Sequence, residues 1–536
     1  MAAKPLLRLG FALVIALLGL TCLGPAFGQA AFGARRIEAA LPPDLPAEPS
    51  AAATQLAALP LVEEMLSQVS AATLAGHVAR LSGEAPLWIA ATPYTLTTRY
   101  TWVAEPISMA TAYAARHLEA LGLATAFHSY SFYGSERRNV VAEQAGIIAP
   151  ERIYLITAHI DSISGSPYTV APGADDNASG AAAVLSIAEI LSRYRLPYTI
   201  RYVLFSGEEQ GMVGSKAYAA EVHSAGDEIA GVLNLDMIGY NSDGLPEPVI
   251  ELHTRSGDAG LPDRAIAELM VECIASYDLD LTAEIVASGI TASDHSSFWA
   301  EGYPAILAIE DFQDFTPYYH TVKDRLSTLD MGYFTGFAQA ALAAVAHMAG
   351  AIDFVYSPSE ITVTYPVTFA LASPWEGPPV STTWTIANGP PLLGETAVVS
   401  FPFTNETRMY TGSLTINSPK GTITREQSVP VRGALVDFWA SPPTMDLGAP
   451  VTLTRIVSPD LANLKYTWNF GDGSAEIEDA RSLVIHSFPE AAPAVSYTVR
   501  LTITHASGTA VHAESVRPRG WALFLPLSMR SVMTEP

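Results

Sequence analysis

The chain has 536 residues, with 29 Lys+Arg against 54 Asp+Glu, a formal net charge of −25 at pH 7. Its length exceeds what one hydrophobic core ordinarily serves, so two or three domains are expected. The charge excludes nucleic acid and anionic lipid as natural partners, because a polyanion would be repelled rather than gathered.

Lys4 and Arg8 precede an apolar run over 9–23, and Ala26-Phe27-Gly28 then supplies small residues suited to signal peptidase. The run is about fifteen residues, short of the roughly twenty that span a bilayer. Residues 1–28 therefore read as a cleaved secretory signal, with an extracellular or cell-surface destination and no integral membrane segment after cleavage. Cys22 lies inside the signal, so Cys273 remains as the only cysteine and no intramolecular disulfide is expected. Cys273 reads as an apolar filler on a helix. Residues 29–55, rich in Ala and Pro without periodicity, read as a spacer or propeptide.

From 56 to 352 helical and strand patterns alternate. An amphipathic stretch at 62–81 and a helical one at 108–121 precede a strand ending in Val140-Val141-Ala142. An apolar run at 153–158, a helix over 180–194 and a strand at 200–205 follow, then strands at 232–235, 249–253 and 305–309, and an Ala- and Phe-rich helix over 331–350. This is α/β texture: a single mostly parallel mixed sheet with helices on both faces.

Five short motifs carry the chemistry: Thr157-Ala158-His159-Ile160-Asp161, then Gly173 to Gly180 with Asp175-Asp176-Asn177, then Gly207-Glu208-Glu209, Asn234-Leu235-Asp236-Met237, and Tyr319-His320-Thr321. Each sets an acid or histidine near a strand end, where open α/β sheets place ligands. Singly, each has a plainer reading. Asp175 to Gly180 mimics the start of a calcium loop, but the twelfth position is Ser186 rather than a bidentate Glu. A Gly-Glu-Glu is usually an exposed turn, and a lone histidine usually a hydrogen-bonded structural residue. Together the five supply imidazole and carboxylate for two zinc ions, provided one carboxylate bridges and a position stays open for water; the bridge is assigned to Asp176. A nucleophilic hydrolase is disfavoured, since there is no Gly-x-Ser-x-Gly elbow and Cys273 lacks a flanking signature. The acids of 173–180 would repel a phosphate.

Over about 56–350 these ordered motifs resemble the secreted dizinc aminopeptidases, the leucyl-aminopeptidase-like metallo-exopeptidases. The resemblance implies that His159, Asp176 and Asp236 hold one zinc and that Asp176, Glu209 and His320 hold the other. It implies Glu208 as the general base that takes a proton from a metal-bridging water, and Asp161 as the carboxylate that hydrogen-bonds the free ring nitrogen of His159. It gives Tyr319 a part in steadying the oxyanion and makes the Asp176–Asn177 peptide cis. Thr98-Arg99-Tyr100, Arg138-Asn139-Val140 and Ser293-Asp294-His295-Ser296-Ser297-Phe298 resemble signatures that shape pocket and core. His295 is read as a substrate contact or a locally bonded residue, and His117, His128, His223, His253 and His347 as surface or packing residues. The implied activity is removal of N-terminal residues from peptides or proteins with free N-termini, with two Zn2+ as cofactors. A carboxypeptidase or glutaminyl cyclase of the same fold, or a non-catalytic adhesion ectodomain, is the alternative.

Beyond Pro358 the texture changes to Thr-, Val- and Ser-rich strands at 361–371, 382–387, 396–403 and 412–416, a β-sandwich over 358–433. A second unit over 434–518 contains Trp468-Asn469-Phe470-Gly471-Asp472-Gly473 and resembles the PKD domain, an immunoglobulin-like sandwich often appended to secreted hydrolases. The first, with Thr383-Trp384-Thr385, is read as its degenerate relative. Trp468 reads as structural rather than as a sugar or calcium site. The sandwiches are expected to contact a surface or polymer. Residues 519–536 form a tail whose apolar part is too short to cross a membrane.

Overall fold

The computed structural model describes residues 56–516 apart from 90, 243, 245–247, 374, 376, 443–447, 460 and 490–495. The expected signal (1–28), spacer (29–55) and tail (519–536) lie outside the described residues.

The amphipathic stretch expected over 62–81 is two helices. α1 (Pro60–Leu66) begins on a proline, which suits a first turn that needs no N–H. α2 (Ala71–Leu81) restarts at Ser70, whose side chain accepts the Thr73 N–H. A short hairpin of β1 (Leu87–Ile89) and β2 (Thr92–Tyr94) leads to α3 (Ala104–Ala120).

The strands of the main sheet are β3 (Ala124–Phe132), β4 (Ser135–Gln144), β5 (Ala149–His159), β6 (Tyr198–Phe205), β7 (Glu228–Leu235), β8 (Val249–Thr254), β9 (Thr282–Ala287) and β10 (Ala305–Glu310). They lie in the order β3-β4-β6-β5-β7-β10-β8-β9. The centre, β6-β5-β7-β10, is parallel, and antiparallel pairs flank it. Five helices complete the layers: α4 (Gly180–Leu191), α5 (Val213–Ala225), α6 (Leu261–Ser276), α7 (His295–Ala300) and α8 (Met331–Met348). Alternate side chains of a strand point to opposite faces. Accordingly Tyr154, Ile156 and Ala158 of β5 join a large core with α4 and α8, whereas Ile153 and Leu155 join a smaller one with Tyr218 of α5 and Phe298 of α7. Burial on both faces is why these strands read as continuous apolar runs. α4 is buried along its whole length except at Glu189, and Cys273 on α6 is a fully buried filler.

The register of the parallel centre sets His159, the last residue of β5, beside Phe205 of β6, and Thr157 beside Asn234 of β7. Three strand ends thus converge at one edge.

After α8 the chain is all-β. A sheet of β11 (Phe354–Ser357), β13 (Pro366–Leu371) and β16 (Thr396–Ser400) packs against one of β12 (Ile361–Thr362), β14 (Ser381–Ile386), β15 (Leu392–Leu393), β17 (Arg408–Asn417) and β18 (Thr422–Arg432). Phe354 and Phe369 meet Trp384 across the gap, with ring centroids 5.5 and 6.4 Å apart. The single strand expected over 361–371 is two strands in different sheets, because the chain turns at Thr364 with φ +73°. The last unit has one sheet of β19 (Leu435–Ser441), β20 (Pro450–Ser458) and β23 (Leu483–Ser487), and another of β21 (Lys465–Asn469), β22 (Ile477–Glu478), β24 (Tyr497–His505) and β25 (Gly508–Val516). Trp468 is fully buried against Phe438 between them, at 5.3 Å. No helix among the described residues is long and apolar enough to cross a membrane.

The first all-β unit is fastened to the α/β layers at Asp353. This buried carboxylate accepts the Leu61 N–H of α1 at 2.6 Å, the Arg425 guanidinium of β18 at 3.2 Å, and the Gln427 amide. Ile148 and Ile352 belong to the apolar core of the all-β region. Gly421 lies so close to Ile147 that a Cβ there would sit 2.7 Å from its methyl group.

Candidate metal centre

β5 delivers His159 at its C-terminal end. The chain then runs to a π-helical turn, Ala174–Ser179, whose backbone leaves helical geometry at Asp176 and Asn177 before α4 begins. The Asp176–Asn177 peptide is cis. Gly173 opens the turn at φ +49°, and a Cβ there would lie 2.2 Å from the Asp176 carbonyl oxygen, so only glycine fits.

This loop holds Asp176 between two imidazoles. One carboxylate oxygen is 3.3 Å from His159 Nε2 and the other 3.1 Å from His320 Nε2. Asp236 approaches the same His159 nitrogen at 3.2 Å, and Glu209 the same His320 nitrogen at 3.2 Å. Within each trio the ligand atoms all lie within 4.8 Å of one another. A tetrahedral zinc with bonds of about 2.1 Å spaces its ligand atoms about 3.4 Å apart, and imidazole with carboxylate is a donor set zinc favours. Two further observations fit such an ion: Glu209 Oε1 is buried without a hydrogen-bond partner, and His159 Nδ1 faces the Asp161 carbonyl at 3.2 Å, which directs Nε2 toward the acids.

The charges are mutually adjusted. Burial would raise the Asp176 carboxyl, yet hydrogen bonds from His159 and His320 hold it well below the usual range. Burial would lower His159, but the charge of Asp236 and the nearby carboxylates of Asp161 and Asp176 lift it well above its ordinary value. His320 is lifted to about 10, against burial, by its bonds to Asp176 and Glu209. Burial and the Asp176 charge push Glu209 up to about 7. Burial also pushes Glu208 well up, and Glu209, Asp294 and Asp236 add to the effect while His159 opposes it.

A pH dependence follows. Zinc binds neutral imidazole and carboxylate, so it must displace protons that His320 and Glu209 otherwise retain up to about 10 and about 7. Zinc affinity is therefore expected to rise with pH through the neutral and alkaline range, with net proton release. Calorimetric titration in two buffers of different ionisation enthalpy measures this. In the metal-free protein the sign is reversed for the histidine: a pKa raised on folding stabilises fully below the unfolded value near 6.5 and is lost as pH climbs through about 10.

Asp161 departs from expectation. Its carboxylate lies 3.7 Å from His159 Nδ1, beyond hydrogen-bond range, because its own carbonyl occupies the nearer place. The carboxylate instead accepts Thr101 Oγ1–H at 2.9 Å and the Glu208 N–H at 3.2 Å, while Thr101 Oγ1 accepts the Gly207 N–H at 3.0 Å. Asp161 and Thr101 thus brace the turn that carries Glu208. Asp236 is oriented by Ser293, which donates at 2.6 Å and accepts from Asn234; Asn234 in turn accepts from Thr157. Asn139 accepts the Ser206 N–H at 3.0 Å and so steadies the end of β6. Asp294 is buried nearby, and burial pushes its carboxyl up to about 7. Tyr319 stacks on the His320 ring with centroids 3.6 Å apart and is 40% exposed. His295 turns away to the Ile290 carbonyl at 2.9 Å and joins neither trio. Asp175 also stands aside, accepting the Gly239 N–H at 2.8 Å.

The metal loop is held from behind by two groups. Arg99 is fully buried and donates to the carbonyls of Leu81, Ile160, Pro172 and Gly173 at 2.5–2.9 Å. Asp324 accepts the N–H groups of Asp175 and Asp176 at 2.8 and 3.1 Å. Sequence reasoning passed over Asp324, which sits in the charged run Lys323-Asp324-Arg325; its position four residues past His320 is the only available signal. Asp324→Ala is expected to weaken zinc binding about 10- to 100-fold, the usual effect of losing a group that orients a ligand, as read by competition with a chromophoric chelator.

Residues 139–345 match the model of peptidase family M28, and residues 435–514 match the PKD domain. A probable zinc metalloprotease of Pyrenophora tritici-repentis is 29% identical over 212 residues, 35% of this chain and 49% of that protein. Leucine aminopeptidase 1 of Trichophyton rubrum is 27% identical over 260 residues, 46% of this chain and 66% of that one. The chain thus spans about half to two thirds of the length of these curated relatives. Among solved structures, the LapA aminopeptidase of Legionella pneumophila is 21% identical, with a TM-score of 0.45, over 54% of this chain and 74% of that one.

Proposed function

Because the chain carries a peptidase family M28 domain and a PKD domain, we propose that it is a secreted zinc aminopeptidase that removes N-terminal residues from peptides. The observation that carries this reading is the Asp176 carboxylate, which offers one oxygen to the His159–Asp236 pair and the other to the Glu209–His320 pair.

His159, Asp176 and Asp236 would hold one zinc, and Asp176, Glu209 and His320 a second. When bound, the ions supply Lewis acidity and make water nucleophilic near neutral pH. The rest falls to the chain's own residues. Glu208, set on the turn braced by Asp161 and Thr101, accepts a proton from the attacking water and returns it to the leaving amine; its raised proton affinity suits both halves of the exchange. Tyr319, stacked on His320 and partly exposed, would donate to the oxygen on which charge develops. The surplus of carboxylates around the site attracts a protonated α-amino group, so a free N-terminus is the feature read in the substrate.

Export through residues 1–28 belongs to the same proposal, supported by Lys4 and Arg8 ahead of the apolar run. The two C-terminal units are read as immunoglobulin-like sandwiches that engage a surface or polymer.

Matched peptides with free and N-acetylated termini test the activity, each with and without a chelator. Hydrolysis of the free peptide alone, lost on chelation and restored by zinc, is expected. Equal cleavage of the acetylated peptide, or indifference to the chelator, would sink the reading.

A further inference from the structure

Three helices meet around another cluster of ligand-type atoms. His77 on α2, His117 on α3 and Glu189 on α4 each bring one such atom within 4.8 Å of the others. The two imidazoles meet edge to face, with centroids 4.8 Å apart. Glu189 is the one residue of α4 left out of the core. It lies nine residues past Gly180, about 14 Å along the helix at about 1.5 Å per residue, so the cluster is separate from the Asp176 centre.

The side chains leave nitrogens free for an ion. His117 Nε2 is buried without a hydrogen-bond partner. His77 Nδ1 is anchored 2.7 Å from the Tyr113 hydroxyl, leaving Nε2 as its other donor. One ring nitrogen tied to the protein and the other left for an ion is the usual arrangement of a metal-bound histidine. Burial pushes both rings below their ordinary range, His77 to about 3, so each is neutral at physiological pH, as a ligand must be. Arg80 adds positive charge near both rings, and Glu189 offsets it at His117. Glu189 also accepts from Arg193 at 3.0 Å.

We propose that His77, His117 and Glu189 form a structural site for a single divalent transition ion, which clamps α2, α3 and α4 together. Two imidazoles and a carboxylate suit zinc, and are too nitrogen-rich for calcium or magnesium. Water completes the coordination. The ion stabilises the fold that carries the Asp176 loop and takes no part in hydrolysis.

Zinc content after equilibrium dialysis against buffered free zinc, compared among the wild type, His117→Ala and Glu189→Gln, tests the proposal. Each variant is expected to hold one ion fewer per chain than the wild type, with hydrolysis of the free-terminus peptide unchanged. The wild-type melting temperature is also expected to keep rising with zinc after activity has saturated, and that of the variants to level off. Glu189→Gln keeps the size of a residue outside the core, so it decides the matter if loss of the His117 ring impairs folding. The comparison is a difference, so it is read correctly whatever number of ions the Asp176 centre holds. Equal zinc content in wild type and Glu189→Gln, with coincident melting curves, would overturn the proposal.

Discussion

Glu208→Gln is expected to lower kcat by roughly 10² to 10⁴, the range that general acid–base catalysis contributes, while zinc content and KM stay close to wild type. The substitution preserves the volume of the side chain and the backbone N–H through which Asp161 holds the turn, so packing and metal ligation are undisturbed. What disappears is a carboxylate whose proton affinity burial and three neighbouring carboxylates have raised. An amide can neither accept the proton from water nor deliver it to the departing amine. Steady-state kinetics with metal analysis on the same sample separates the outcomes. Near-normal turnover would remove Glu208 from the mechanism, and loss of zinc would make it a ligand rather than a base.

Asp176→Asn is expected to be the most damaging single change at the centre, because one side chain serves both trios. An amide offers one oxygen and no charge, so both groups should lose zinc together, whereas His320→Ala touches only its own trio. A bound metal contributes several kcal/mol of transition-state stabilisation, and each 1.36 kcal/mol is tenfold in rate. At stoichiometric zinc, activity should therefore fall by about three powers of ten or more. Metal analysis of Asp176→Asn and His320→Ala beside the wild type reads the distinction: a loss of only one equivalent relative to wild type in Asp176→Asn would show that the carboxylate is not shared.

His159, Glu208, Glu209 and Asp236 were legible because each stands just past an apolar strand run, and because chain order brings the ends of parallel strands to one edge. His159, Glu208, Asp236 and their neighbours therefore declare themselves by position as well as by type. Residues that hold the ligands carry no such mark. Asp324 hides between two basic residues in what reads as a solvated loop, and only the fold buries it beneath the Asp176 turn. Asp161 was found, but which of its oxygens faces the imidazole depends on a backbone rotation that residue types do not encode. β3 was missed because its exposed edge alternates Ser, His and Thr with aromatics and so lacks a continuous apolar run. His77 and His117 lie forty residues apart on different helices, a separation from which no local pattern could have paired them.

Asp353 carries a last implication, for how the chain comes apart. A single buried carboxylate receives bonds from the first helix of the α/β layers and from β18, while Ile148 and Ile352 are packed in the all-β core. The border between the two folds is thus an interior rather than a linker. A chain cut at residue 352 would end in an open wound, with apolar side chains bared and the Leu61 N–H missing its acceptor. Heat or denaturant should melt the α/β layers and the first all-β unit in one concerted transition. The β-rich unit is then less a leash on the α/β layers than a buttress packed against them.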